Sequence, residues 1–461
     1  MDRPDPTTAY LIGNGAEIAV EATYVSRFTL KVTIPNGASV TDGIEFEDLA
    51  ILLNDERVGL GPCRFVQAET PAIGHLLFTR DIYDYQQLFF QRRKAVLQSG
   101  FATIPLILEH QRQVRQEFKD YTADLTYSLN VYRGIFDAMD AECDDEPAFV
   151  REAVQQAVLA NEGTDFLRFF DERLQALEDI VGNYSREDHA RHGFYFRRQV
   201  WPFILQSALM RRTNLKPRGY SGDSEMMCMI YRQEDLGDTI FAKLMHRHPV
   251  NSLAAEAVRN RCKTIVELLS EAREKGRRGP GNPLKVLSVA CGPAWEINKL
   301  LQTPEDCASY EFTLLDQDPL AFQEIAEQVA GIEKRLGAPV KVNYLQVSVR
   351  TMMSRRKFAD KWPEYDFIYS MGLIDYLTAP VARALLENLY QLLRPGAEMV
   401  VGNYHVWNPK RVYMEYWGDW SLFYRTEDDF LDLLRAVPDT RKSVLLDELD
   451  IQMFLRANRE P

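Results

Sequence analysis

Residues 286–297, "VLSVACGPAWEI", decide how this 461-residue chain is read. Val286, Leu287 and Val289 have the β-branched and aliphatic character of a buried strand, and the run then turns abruptly through Ala290, Cys291, Gly292 and Pro293 toward a helix. A strand left through small residues into a helix exposes backbone amides at the helix N-terminus, where something anionic or hydroxyl-rich can bind. Gly292 has no side chain, so a ligand can approach its backbone closely.

Working outward, strand-like and helix-like segments alternate. A helix is expected around 294–302, then strand "YEFTLLD", helix "PLAFQEIAEQVAGIEKRLG", strand "VKVNYLQV" and an irregular segment. Strand "YDFIYS", helix "APVARALLENLYQLL", the turn "RPGA" and strand "EMVVGNY" follow. This alternation predicts right-handed crossovers and a parallel sheet covered on both faces, an α/β Rossmann-like domain over 284–461. The tail "SVLLDELDIQMFLRAN" reads as a final antiparallel pair with Asp447 and Glu448 between its strands.

Three features of this domain converge. The first is the turn at 290–293. The second is Asp316, which ends the second strand and can accept hydrogen bonds from both ribose hydroxyls of a nucleoside, while Asp318 is better placed to cap the helix starting at Pro319. The third is the end of "YDFIYSMGLIDYL", Ser370, Met371 and Gly372. Ligands of open parallel sheets bind outside the carboxyl ends of the strands, so all three face one crevice. A single glycine serves a pyrophosphate poorly, which disfavours a nicotinamide dinucleotide. The remaining set suits S-adenosylmethionine: a ribose acceptor, an apolar adenine slot and an open mouth. Gln317, Val347 and Ser348 complete the expected cofactor-binding residues.

On these motifs, residues 284–404 resemble a class I S-adenosylmethionine-dependent methyltransferase, with "VLSVACGP" as first motif, "LLDQDP" as ribose acid and "LRPGAEMVVGNY" as turn and fifth strand. Ala290 and Pro293 stand where glycines are common in that family. Upstream, "KPRGYSGDSEMMCMIY" (216–231) and "NSLAAEAVRNRC" (251–262) are similar to the extracellular-factor 3-hydroxypalmitic acid methyl ester biosynthesis family, over roughly residues 190–457. That resemblance implies methylation of a fatty-acid carboxylate to a quorum-sensing ester. Within "GYSGD", Gly219 and Gly222 bracket a tight turn projecting Tyr220 and Asp223. The two residues either cap the cofactor, with Asp223 facing the methionine ammonium, or Asp223 is the N-cap of the helix that follows.

A carboxylate acceptor is already ionised near neutrality and needs no general base, whereas a hydroxyl or amine does. Tyr404 and His405, with Asp375, are the candidate catalytic residues. Tyr404 or His405 would orient an acid, or His405 would deprotonate another acceptor. Tyr376 and Arg425 belong to segments that could border the same pocket, and Trp407 would line an acyl channel. The run "VYMEYWGDWSLFY" (412–424) is either an acyl-binding lid or an interior helix. Besides the enzyme, a non-catalytic S-adenosylmethionine-binding sensor and a methyltransferase acting on a hydroxyl, amine or protein stay open.

Residues 1–80 alternate apolar and polar residues between turn clusters, as a small β barrel or sandwich would. They loosely resemble a PilZ-type barrel without its cyclic di-guanylate signature, since Arg27 lacks a partner arginine at the required spacing. A regulatory or assembly role is expected. Residues 81–215 read as amphipathic helices, and Val114, Phe118, Tyr121, Leu125, Leu129, Tyr132, Phe136 and Met139 form one stripe. That stripe packs in an intrachain bundle or forms a homodimer seam. Residues 216–283 are a cap and linker, with the basic, glycine- and proline-rich 273–281 read as solvated.

A net charge of −13 argues against a nucleic-acid partner, and the scattered cysteines, with no CxxC, argue for reduced thiols and no metal site. No apolar run approaches the ~18 residues of a membrane span, so a cytoplasmic protein with a small-molecule or fatty-acid methyl acceptor is expected.

Overall fold

The computed structural model describes residues 7–13, 16–25, 29–35, 40–53, 56–67, 73–79, 111–276, 278–352 and 362–460. Arg27 and residues 81–110 lie outside them.

Six strands come first: β1 (Thr7–Gly13), β2 (Ala16–Val25), β3 (Thr29–Thr33), β4 (Glu45–Leu53), β5 (Glu56–Gln67) and β6 (Ile73–Phe78). They pair antiparallel in the ring β1-β2-β3-β6-β5-β4 around Leu11, Leu30, Leu49, Phe65 and Leu76. The ring is uneven. β1 meets β4 over four residue pairs only, and register shifts interrupt β2/β3 and β4/β5.

Among the described residues eight helices follow: α1 (Gln116–Ala141), α2 (Ala148–Ala160), α3 (Glu162–Val181), α4 (Arg186–Ile204), α5 (Ala208–Leu215), α6 (Ser224–Arg232), α7 (Ile240–Val250) and α8 (Leu253–Lys275). The stretch 186–215 is broken into two helices, α4 and α5. Pro202 has no N–H to continue the ladder, and Ser207 caps the new helix by accepting from the Met210 amide at 3.2 Å. The apolar stripe of α1 is used within the chain: Phe118, Leu125, Leu129 and Phe136 are buried in one cluster with Phe166, Phe170 and Phe196. The aromatic run after 411 joins that cluster as an interior helix, with Tyr413, Tyr416 and Trp417 all buried.

The linker at 273–283 is exposed at 274–276 and 280–282, as a solvated segment should be, and is anchored at two points. Arg278 donates to Asp366 at 2.6 Å, and Gly279 bridges Asn282. Beyond it lie β7 (Leu284–Val289), α9 (Trp295–Leu300), α10 (Pro304–Ser309), β8 (Tyr310–Asp316), α11 (Pro319–Leu336), β9 (Lys341–Gln346), α12 (Val349–Met352) and β10 (Tyr365–Ser370). Then come α13 (Ala379–Gln391), β11 (Leu393–Tyr404), α14 (Arg411–Tyr416), α15 (Glu427–Asp432), β12 (Lys442–Leu446) and β13 (Gln452–Asn458). The strands form one sheet in the order β12-β13-β11-β10-β7-β8-β9. β7 to β11 are parallel, and β13 runs antiparallel to both β11 and β12. β7, β8 and β10 are buried almost end to end, as strands covered on both faces must be. The chain winds outward from β7 through β8 to β9, then returns to β10 on the other side of β7. That reversal opens a crevice at the carboxyl ends of β7 and β10.

Candidate functional site

The crevice holds a cavity lined from three directions. The sheet contributes the turn after β7, Asp316 and Gln317 after β8, and Tyr369, Met371 and Gly372 at the end of β10. The segment before and within α6 contributes Tyr220, Gly222, Ser224, Met227 and Tyr231, and α8 contributes Arg261, Cys262 and Ile265.

The turn after β7 is left-handed three times. Ala290 and Gly292 have φ of +53° and Ala294 has +44°. Glycine adopts this freely, whereas an L-residue with a Cβ costs roughly 1–2 kcal/mol there. The surroundings impose the shape. The Cys291 amide donates to the Leu315 carbonyl at 3.0 Å, and Gln328 Nε2 donates to the Pro293 carbonyl at 2.9 Å.

Across the turn, Asp316 is 5 % exposed. Its Oδ2 accepts from the Gly292 amide at 3.0 Å and its Oδ1 from the Asp318 amide at 3.0 Å. Burial pushes this carboxyl above its ordinary range, and the two amides pull it back. Each carboxylate oxygen has further lone-pair capacity, so a carboxylate oriented by backbone can still accept two hydroxyl donors. Asp318 caps α11 by accepting from the Leu320 amide at 3.0 Å.

Of the residues expected from the sequence to hold a cofactor, Tyr220, Ala290, Cys291, Gly292, Pro293, Asp316, Gln317, Met371 and Gly372 line this one cavity. Asp223, Val347, Ser348 and Ser370 do not. Asp223 is wholly buried as the N-cap of α6, accepting from the Met226 amide at 3.0 Å and from Arg212 Nε at 2.6 Å. Val347 donates its amide to the Asp316 carbonyl at 3.1 Å, behind the site. Ser370 Oγ donates to the Val289 carbonyl at 2.8 Å, joining β10 to β7.

The three candidate catalytic residues stand apart from the cavity lining. Tyr404 Oη donates to the Ala254 carbonyl at 2.8 Å inside the core. His405 is buried against Glu427, with 3.2 Å between Nε2 and Oε2. Asp375 accepts from the Tyr404 amide at 2.7 Å, and burial pushes it up to about 6. Arg425 is enclosed by neutral acceptors, the Ile374, Leu377 and Phe423 carbonyls and Asn403 Oδ1. Trp407, expected in an acyl channel, is 78 % exposed. Among the described residues no histidine lines the cavity, and no cluster of His, Cys, Asp or Glu could hold a metal ion.

Two charged lining residues escaped the sequence reading. Arg261 is 5 % exposed in α8, and its signal is positional: it falls on the same helical face as buried Ala254, Val258, Ile265 and Leu268, where an arginine is out of place. Glu296, in the first turn of α9, is buried and accepts from Tyr369 Oη at 2.5 Å. Burial raises its pKa against the lowering effect of that hydrogen bond. An acid in a first helical turn reads as a solvated partner of the helix dipole, which hid it.

No protein-family model matches the chain, and none of the curated proteins does. Among solved structures, a Bordetella parapertussis protein described as a "possible exported protein" is similar at 18% identity, covering 60% of this chain and 88% of its own, with a TM-score of 0.44. Magnesium protoporphyrin IX methyltransferase from Synechocystis, with bound SAH, aligns at 13% identity over 45% of this chain and 88% of its own, TM-score 0.34. The N-methyltransferase NodS from Bradyrhizobium japonicum, in complex with S-adenosyl-L-homocysteine, aligns at 14% over 43% and 87%, TM-score 0.30.

Proposed function

We propose that the chain is an S-adenosylmethionine-dependent methyltransferase that esterifies the carboxylate of a small or fatty (3-hydroxy) acid. The observation carrying this reading is Asp316, a buried carboxylate at the end of β8 whose two oxygens are oriented by the Gly292 and Asp318 amides beside a cavity at the sheet's reversal point. Asp316 would hold the ribose diol, and the turn 290–294 would admit the amino-acid portion to its backbone. S-adenosylmethionine supplies a methyl group on a sulfonium, transferred by in-line displacement.

The protein's part in such a transfer is placement and charge, since an ionised acid needs no base. The cavity fits that division. Its thiols and phenols are poor bases as they stand: burial pushes Cys262 up to about 12 and raises Cys291, Tyr220 and Tyr376 as well. One observation favours a second reading. Glu296 lines the cavity with a raised pKa, the property of a general base for a hydroxyl or amine acceptor.

Asp316→Ala is expected to lower affinity for S-adenosylhomocysteine by at least ~100-fold in calorimetry, two hydrogen bonds to a charged group being worth about 3 kcal/mol or more. Retained affinity would overturn the assignment. Incubation with deuteromethyl cofactor and 3-hydroxydecanoate should yield a mass-shifted methyl ester. Tight cofactor binding with no methylated product from acid, alcohol or amine would favour a sensor.

A further inference from the structure

Arg261 is a cation sealed into the cavity wall without an anion. Its Nη1 donates to the Met371 carbonyl at 2.7 Å and its Nη2 points at Met227 Sδ at 3.8 Å, a weak acceptor. Its Nε is buried and has no partner. Among the described residues no carboxylate comes within ion-pairing distance of it. The two acids nearest in influence are otherwise engaged, Glu296 by Tyr369 and Asp375 by the Tyr404 amide.

Arg425, as deeply buried as Arg261, shows what a satisfied guanidinium looks like here, since four oxygens surround it. Burial of an unpaired charge with an idle donor is costly and persists where a ligand completes it. The planar fork of arginine matches a carboxylate in two-point fashion.

We propose that Arg261 anchors a carboxylate-binding subsite within this cavity. The subsite lies at the end of β10, two strands from Asp316 at the end of β8. At roughly 4.8 Å per strand the two anchors are about 10 Å apart, so a molecule bound at one can also reach the other. The carboxylate has two possible sources, the amino-acid end of the cofactor or the methyl acceptor. Only that choice rests on the methyltransferase reading; the anion site itself does not.

The test uses the full chain with Arg261→Met and Arg261→Lys, checked for folding by circular dichroism. S-adenosylhomocysteine and 5′-methylthioadenosine, which lacks the amino acid, are titrated against each. If the subsite takes the cofactor's carboxylate, Arg261→Met weakens S-adenosylhomocysteine about 30-fold or more and leaves methylthioadenosine unchanged, with partial recovery in Arg261→Lys. If it takes the acceptor's, nucleoside affinities hold and KM for 3-hydroxydecanoate rises by a similar factor.

A third arm is independent of any nucleoside. The wild-type protein should be stabilised against heating by 3-hydroxydecanoate and not by its amide, a difference that Arg261→Lys reduces. Should Arg261→Met fail to fold, Arg261→Lys carries every arm. Unchanged S-adenosylhomocysteine affinity and acceptor KM in the variants, together with equal stabilisation by acid and amide, overturns the proposal. Wild-type protein that binds neither nucleoside yet discriminates acid from amide would overturn the methyltransferase reading and leave this one standing.

Discussion

Arg218 Nη1 donates to Asp318 Oδ2 at 2.8 Å, and its Nη2 donates to Glu324 at 2.8 Å, so the segment that roofs the cavity is clamped to the helix following Asp316. The ion pairs raise the guanidinium's pKa despite its partial burial. Arg218→Ala should cost about 2–3 kcal/mol in urea unfolding, below the ~3–5 of a fully buried pair because Glu324 is partly solvated. Arg218→Lys should recover only part, since an ammonium cannot fork to two carboxylates. A loss under 0.5 kcal/mol, about what an exposed pair gives, would mean the clamp is idle.

Asp375 makes stability depend on pH. Its folded value of about 6 lies above its ordinary 3.8, so between roughly pH 4 and 6 the folded chain holds this proton more tightly than the unfolded chain. The contribution is full below pH 4 and is lost as pH rises through 6, a change on the order of 3 kcal/mol at 1.36 per unit. Glu296 and Asp316 are displaced the same way, so the dependence is shared. Asp375→Asn keeps an oxygen for the Tyr404 amide and cannot titrate. Relative to wild type it should gain up to that amount between pH 4 and 7, read from urea midpoints; a constant difference across that range would contradict the prediction.

Ala290→Gly should be nearly neutral for stability. It relieves a left-handed Cβ worth ~1 kcal/mol while freeing the unfolded chain by a comparable ~0.4–1. Ala290→Val, β-branched at the same φ, should destabilise by ~2 kcal/mol or more and weaken cofactor binding with it. Thermal melts of the pair check this dependence on the left-handed backbone at Ala290. Equal melting of the two variants would contradict it.

The Rossmann-like half was legible because local signals agreed with the tertiary structure. The apolar run 286–289 is buried as β7, and the acid ending "YEFTLLD" stands across the turn from Gly292. What stayed hidden depended on contacts between distant segments. Tyr404 and His405 end a strand at the expected mouth, but β13 pairs alongside and the residues after 411 fold over, so both side chains are spent on structure. Tyr220, expected at the crevice from sequence, does line the cavity, yet nothing local revealed that Gly222 is squeezed beneath Tyr376 and Trp420. There a Cβ would sit 2.5 Å from the Tyr376 hydroxyl. The amphipathic stripe of α1 was equally visible, and only the packed structure assigns its partners to the same chain.

The position of β13 has a consequence for biogenesis. It is the last of the seven strands to be synthesised, yet it lies inside the sheet, wedged between β11 and β12. At ~5–20 residues per second, the roughly fifty residues separating it from β11 take several seconds to emerge from a ribosome. Throughout that interval the β11 flank is an unsatisfied hydrogen-bonding rim, open to whatever extended peptide arrives first. Nascent chains should therefore lean on holdase protection until residue 458 is clear, and any stop codon before 452 leaves β12 with nothing to hold.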